Sequence, residues 1–283
     1  MMNRSVACVG ELLWDILPSH RVLGGAPANV AYHLCRLGVD SCLITRVGAD
    51  ERGEAAMSML HDRGMKTADV QIDPVLPTGA AYVQLENAQA KYEFETPAAW
   101  DAIERPAANI DAVVFGTLAQ RDARSAATIR QLARGAAISF YDVNLRPPYT
   151  TFDIVSESLS FATVVKVNEV EIAALAAEFG LPTQPPDFAA AVAAQFSTHT
   201  ICVSLGAQGA GLWHGGRWIE LHAPRVVVAD TVGAGDAFFA GLVEGILQMR
   251  PPDVALSRAI TLGSFLATRA GATPEYEAHE LGL

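Results

Sequence analysis

A chain of 283 residues, 51% hydrophobic with a mean hydropathy of +0.22, can bury one large α/β core or two modest ones. A net charge of −11 and a pI near 5.0 repel nucleic acid and anionic membrane, which leaves a small molecule as the expected partner. The four cysteines lack CxxC spacing and the histidines never pair as HxxxH, so neither a zinc site nor a disulfide framework is expected.

Glu11 and Asp15 interrupt the N-terminal apolar run too early for a signal sequence. No uncharged apolar stretch reaches the roughly 18 residues of a membrane span. With reduced thiols, this makes the cytoplasm the expected location.

In chain order, Val6 to Val9 reads as a strand, 28 to 37 as a helix ending at Gly38, Ser41 to Val47 as a strand, and 51 to 63 as a helix ending at Gly64. Further on, Ala112 to Phe115, Ala136 to Tyr141 and Thr163 to Val167 read as strands, with helical patterns over 123 to 134 and 169 to 179. Ala-rich runs near 172 to 177 and 189 to 194 are ordinary helix. Thr200 to Leu205 is a strand, and Gly211 to His214 with Arg217 to Glu220 forms a hairpin across Gly215-Gly216. Arg225 to Ala229 has the β-branched density of a buried strand.

This alternation predicts an α/β fold with a mostly parallel central sheet flanked by helices, a single domain over residues 1–283. Two segments depart from it. Leu12 to Leu23, and Gly79 to Phe94 with its alternation around an Asn87-Ala88 turn, predict a small β-sheet lid drawn from about 12–23 and 79–100.

The run DTVGAGDAFFAGL, Asp230 to Leu242, places glycines and an acid where the apolar run at 225–229 passes into a helix. Backbone N–H groups at a helix N-terminus are unpaired and the macrodipole is positive there, so Gly233, Ala234 and Gly235 could hold a phosphoryl group. Asp236 beside that anion makes sense as a base that takes a proton from an attacking hydroxyl. The other reading is an acid favoured by the helix dipole behind a tight turn. No GxxxxGK[ST] occurs, and Phe238 stands at the third glycine position of the dinucleotide pattern.

Five ordered motifs precede this one: GGAPANVA (Gly24 to Ala31), RVGADERG (Arg46 to Gly53), DVNLRP (Asp142 to Pro147), KVNEVE (Lys166 to Glu171) and SLGAQG (Ser204 to Gly209). Together with GELLWDILP they resemble the PfkB, ribokinase-like carbohydrate kinases over about Val6 to Gly271, and among these the fructokinases. The resemblance implies an ATP-dependent sugar kinase with a ribokinase-like fold, fructokinase foremost. 2-Keto-3-deoxygluconate kinase or a ribokinase-type enzyme stands as the alternative, and a non-catalytic sugar-binding regulator lies further off.

It also implies roles for residues. Asp236 would be the base, with Gly233, Ala234 and Gly235 as the anion hole and Arg146 on the transferring phosphate. Asp15, Gly24, Gly25, Asn29 and Asn144 would bind sugar, and Asn168, Ser204, Gly206, Gly209 and Thr231 would bind nucleotide. Glu171 would position Mg2+ largely through water, while Asn168 and Glu171 also have the spacing of a capping box. K+ would sit at Asp230 and backbone carbonyls near Val232 and Gly271.

The lid run YEFETPAAWD, Tyr92 to Asp101, departs from a fructokinase lid at Glu95, Thr96 and Trp100. Lys91 alone is basic between 75 and 100, which favours an unphosphorylated sugar, while Arg21 and Arg146 leave a sugar acid open. An exposed lid edge makes homodimer pairing an expectation.

Overall fold

The computed structural model describes residues 5–86, 89–107 and 110–282, with backbone alone over 83–91. The Asn87-Ala88 turn expected above lies outside the described residues.

In chain order the strands are β1 (Val6–Val9), β2 (Leu13–Ile16), β3 (Arg21–Gly24), β4 (Ser41–Gly48), β5 (Val70–Asp73), β6 (Gly79–Glu86), β7 (Gln89–Phe94), β8 (Ala112–Gly116), β9 (Ile138–Asp142), β10 (Val164–Asn168), β11 (Thr200–Ser204), β12 (Ala210–His214) and β13 (Arg217–Leu221). The helices are α1 (Ala26–Arg36), α2 (Glu51–Asp62), α3 (Ala123–Gly135), α4 (Phe152–Leu159), α5 (Glu169–Phe179), α6 (Pro185–Phe196), α7 (Ala234–Leu247) and α8 (Pro252–Ala267).

A nine-stranded sheet in the order β13-β12-β11-β10-β9-β8-β1-β4-β5 forms the body. It is parallel from β5 through β11, and the hairpin of β12 and β13 adds antiparallel strands at one edge. Helices cover both faces, so the central strands read as unbroken apolar runs, as in VACV of β1 and AVVFG of β8. Side-chain alternation then divides the core. Val6 and Cys8 point to a layer with α1, α2, α7 and α8, while Ala7 and Val9 point to one with α3, α4, α5 and α6.

The second sheet, β3-β2-β6-β7, is built from the two segments that did not fit the βαβ pattern. β2 pairs antiparallel with β3 and parallel with β6, a pairing between segments far apart in the chain.

One expected strand is absent. Residues 225–229 form no ladder, and Val226, Val227 and Val228 are 39%, 89% and 57% exposed. The sheet edge on that side is already taken by β13, and β-branched density specifies a strand only where a neighbouring strand and a half-buried face await it. β9 also starts later than Ala136, whose N–H still caps α3 on Leu132 O. The pattern did not single out β5, α4 and α8. No helix among the described residues is long and apolar enough to cross a membrane.

A buried ion pair ties the lid to the body. Arg121 donates to both carboxylate oxygens of Asp101 at 2.8 and 2.9 Å, stacks 3.8 Å from the Trp100 ring, and donates to Glu95 O beyond the end of β7. Trp100 is thus a core anchor rather than a pocket residue. Asp101→Ala would strand the Arg121 charge, and a loss of about 3–5 kcal/mol in urea denaturation is expected, against roughly nothing for the exposed Glu104→Ala. Equal midpoints for the two variants would contradict this account of the lid anchor.

Candidate active site

β1 lies between β8 and β4, with β4 and β5 added on one side of it and β8 to β11 on the other, and such a reversal opens a crevice at the carboxyl ends of the strands. The polar residues singled out from sequence converge there from distant parts of the chain.

Gly233 is the N-cap of α7, at φ +74°. A side-chain carbon there would lie 2.5 Å from Ala272 Cβ, so both backbone conformation and space demand glycine. The Ala234 N–H already donates to Thr231 O at 3.2 Å, so it is the amides of Gly233 and Gly235 that remain as candidates from the expected trio. Asp236 follows in the first turn, and its Oδ2 accepts a 2.8 Å hydrogen bond from Asn29 Nδ2 on α1. Burial, reinforced by the charge of Asp142, pushes the Asp236 carboxyl up to about 6, against the opposing pull of Asn29, Lys166 and Arg146.

Lys166 and Asp142 are cross-strand partners on β10 and β9, both buried. Lys166 Nζ donates to the two Asp142 oxygens at 3.0 and 3.1 Å, and it lies 3.6 Å from the point a side-chain carbon on Gly235 would occupy. Burial pulls the ammonium down, but Asp142 and Glu171 outweigh it, so Lys166 stays charged at the mouth of α7. Reasoning from sequence gave Lys166 no role. Its only signal was a lysine at the end of a strand whose neighbour ends in an aspartate.

The expected acceptor residues gather on the lid side. Asp15 is on β2, its carboxyl pushed up to about 6 by burial against the pull of Arg146. Gly24 ends β3, where a side chain would collide with Asp15 Oδ2 at 2.6 Å, and Gly25 opens α1. Asn144 holds a left-handed conformation, φ 39°, in the loop after β9. Arg146 follows it with its guanidinium 5.8 Å from the Tyr92 ring of β7, in the field of Glu11, Asp15 and Asp236. It faces these carboxyls and does not line the cavity described below. Glu95 turns away, accepting from Tyr82 Oη at 3.0 Å and meeting Arg52 at 2.9 Å. Arg21 lies over the Trp14 ring at 4.7 Å on the lid.

A cavity of about 750 Å³ is lined by Asn168, Ser204, Gly206, Gly209 and Thr231, and also by Lys166 and Gly235. Val226 and Val228 form part of its wall, which explains an apolar run outside the sheet. Asn168 and Glu171 do form the capping box of α5. Glu171 is buried, and each of its oxygens accepts one backbone amide, Leu145 N at 3.0 Å and Asn168 N at 2.9 Å. Asp230 joins the two loops named for potassium, accepting from Val232 N and Gly271 N, each at 3.0 Å. Asp50 of RVGADERG is structural, accepting from Gly53 N and from both Thr78 N and Oγ1.

Residues 19–278 match the model of the pfkB family carbohydrate kinases, and the chain belongs to that family. It is 29% identical to a putative sugar kinase of Pyrococcus horikoshii over 92% of this chain and 86% of that protein. It is 28% identical to a fructokinase of Klebsiella pneumoniae over 96% and 95%. Among solved structures, a fructokinase from Vibrio cholerae O395 with fructose, ADP and calcium bound superposes with TM-score 0.85 at 25% identity, over 99% of this chain and 98% of that one. The Pyrococcus horikoshii sugar kinase in complex with ATP gives TM-score 0.81 at 27% identity, over 97% and 96%. The chain is therefore a sugar kinase with the ribokinase-like fold.

Removing one half of the buried Lys166 pair tests its place in the site. Lys166→Met leaves Asp142 buried and unpaired, and a loss of about 3–5 kcal/mol is expected, largely recovered in Lys166→Met/Asp142→Leu. Recovery of stability without recovery of turnover would separate the structural from the electrostatic part of the ammonium. A single variant as stable as the parent would contradict the pairing.

Proposed function

We propose that this kinase transfers the γ-phosphoryl of ATP to a primary hydroxyl of an unphosphorylated sugar, fructose foremost. The observation that carries this is the Asp236 carboxyl, bonded to Asn29 at the N-terminus of α7, between the acceptor carboxyls and the cavity. Asp236 takes the hydroxyl proton, the freed oxygen bonds to the γ-phosphorus, and the bond from that phosphorus to the β–γ bridging oxygen breaks to release ADP. The Gly233 and Gly235 amides and the Lys166 ammonium offset the negative charge on the transferring group. Asp15 holds sugar hydroxyls from the lid, and the Asn29 side-chain carbonyl, whose amide is bonded to Asp236, holds them from α1. Asn168, Ser204, Gly206, Gly209 and Thr231 hold the nucleotide.

Each Glu171 oxygen accepts one backbone amide and keeps a second acceptor site, enough for a water of a metal's hydration shell. Mg2+ would come with the nucleotide, and Glu171 would position it largely through water, as this ion keeps several waters. Asp230, bound to both the Val232 and Gly271 loops, is the residue around which a K+ ion would gather.

Two features favour a neutral sugar. Arg146 is already balanced by Glu11, Asp15 and Asp236, so a substrate carboxylate or phosphate would bring surplus negative charge. The Glu95 pairing with Arg52 also withdraws that arginine from any phosphate in the lid.

A base must be ionised to act, so ionisation of Asp236 is expected to raise kcat as pH rises through about 6. Asp236→Asn is expected to lower kcat by roughly 10²–10⁴-fold with little change in sugar affinity. Near-normal turnover in that variant, with chemistry rate-limiting, would reduce Asp236 to a helix acid.

On the acceptor side, Asp15→Ala is expected to weaken sugar binding by about 1–3 kcal/mol while an ATP analogue binds normally. In an ADP-release assay, fructose is expected to exceed ribose, adenosine, 2-keto-3-deoxygluconate and fructose phosphates in kcat/KM, because smaller sugars leave polar groups unpaired and anionic ones add charge. Preference for the sugar acid or a phosphate would remove fructose while leaving the transfer step at Asp236 in place.

A further inference from the structure

Glu11 follows β1 at the crevice and is 3% exposed, yet no step described so far uses it. Its surroundings are specific. Helix α1 begins without a side-chain cap, because its N-cap is Gly25 and its first turn carries no acid. Gly25 cannot be exchanged for a capping residue. It sits at φ +114°, and a side-chain carbon there would fall 2.3 Å from the Glu11 carbonyl oxygen. The missing cap is supplied from outside the helix. Glu11 Oε1 accepts the otherwise orphaned N–H of Ala26 at 3.3 Å, a carboxylate at the positive end of the helix. One turn on, the Asn29 N–H bonds Gly25 O at 2.9 Å and its side chain reaches Asp236.

We propose that Glu11 is a positioning residue for the base: it caps α1 from β1 and so fixes the turn that carries Asn29 against Asp236. This rests on Asp236 acting as the base. The second carboxylate oxygen strengthens the assignment. Glu11 Oε2 is buried without a hydrogen-bond partner among the described residues, which is costly for a group kept only for packing. The charged groups facing it are Arg146 from the loop after β9 and Asp236 from α7. Burial, with Asp236 adding to it and Ala26 and Arg146 opposing it, moves the Glu11 carboxyl up to about 7. Its ionised form is the stronger acceptor for Ala26, so the cap tightens as pH rises through that value.

The test compares Glu11→Ala, Glu11→Gln and Asn29→Ala, each alone, and Glu11→Ala combined with Asn29→Ala. Glu11→Ala is expected to lower kcat on the order of tenfold, the rate equivalent of one lost hydrogen bond, with the KM for ATP unchanged. Glu11→Gln keeps an acceptor for Ala26 and is expected to regain most of that kcat, while its pH profile loses the ionisation near 7 and keeps the one near 6 that belongs to Asp236. In the Asn29→Ala background, Glu11→Ala is expected to add little, since both act through one turn. Additive losses, a Gln variant no better than Ala, or a parallel loss of ATP-analogue binding would each overturn the assignment. Failure of the base itself is read separately, from unimpaired turnover in Asp236→Asn.

Discussion

To serve as the base proposed for it, Asp236 has to be kept poised between two penalties. Left to solvent, Asp236 would be ionised and weakly basic; buried without partners, it would be neutral and inert. The hydrogen bond from Asn29 resolves this, because it favours the ionised form while burial and Asp142 favour the neutral one. The result is a carboxyl near 6, and much of the architecture serves to hold those opposing influences in register.

Three parts of the fold meet at this residue. α7 supplies Asp236 and the amides before it, α1 supplies Asn29, and the paired ends of β9 and β10 supply Asp142 and Lys166. The Lys166 pair is a buried charge partnership of the kind that seldom adds stability over an apolar replacement. Its position, 3.6 Å from the carbon that Gly235 lacks, sets its charge at the N-terminus of α7, where the proposed transfer would take place. Behind α7, the buried His33 reinforces the same corner. Its Nε2 donates to Ala272 O and its Nδ1 accepts from Tyr276 Oη, each at 3.0 Å, which holds in place the residue packed against Gly233.

The lid brings a different constraint. Its parallel pairing of β2 with β6 is possible only because the body places Leu13 and Gly79 side by side, and Arg121 with Asp101 then anchors its far end. Asp15 thereby reaches the acceptor side while Glu95 is folded back onto Arg52 and Tyr82. A lid that reads as acidic along the chain therefore presents less negative charge to the crevice than its composition suggests.

Much was legible in the sequence because it is local. Apolar runs flanked by helical periodicity gave the parallel sheet and its flanking helices, since strand and helix periods are properties of adjacent residues. The glycine turn before Asp236, the capping box at Asn168 and Glu171, and the nucleotide-side residues were local in the same way, and the last of these share one cavity. What the chain could not show was any property that depends on distant neighbours. The run at 225–229 has strand chemistry but no strand left to pair with. Glu11 caps a helix that starts 15 residues later, and Asn29 meets Asp236 across 207 residues. Residue types and local periods determined which elements form and which chemistry is at hand. Only the tertiary structure decided which carboxylates are desolvated, which are paired, and so which one can act as a base, because desolvation and charge pairing are set by neighbours in space.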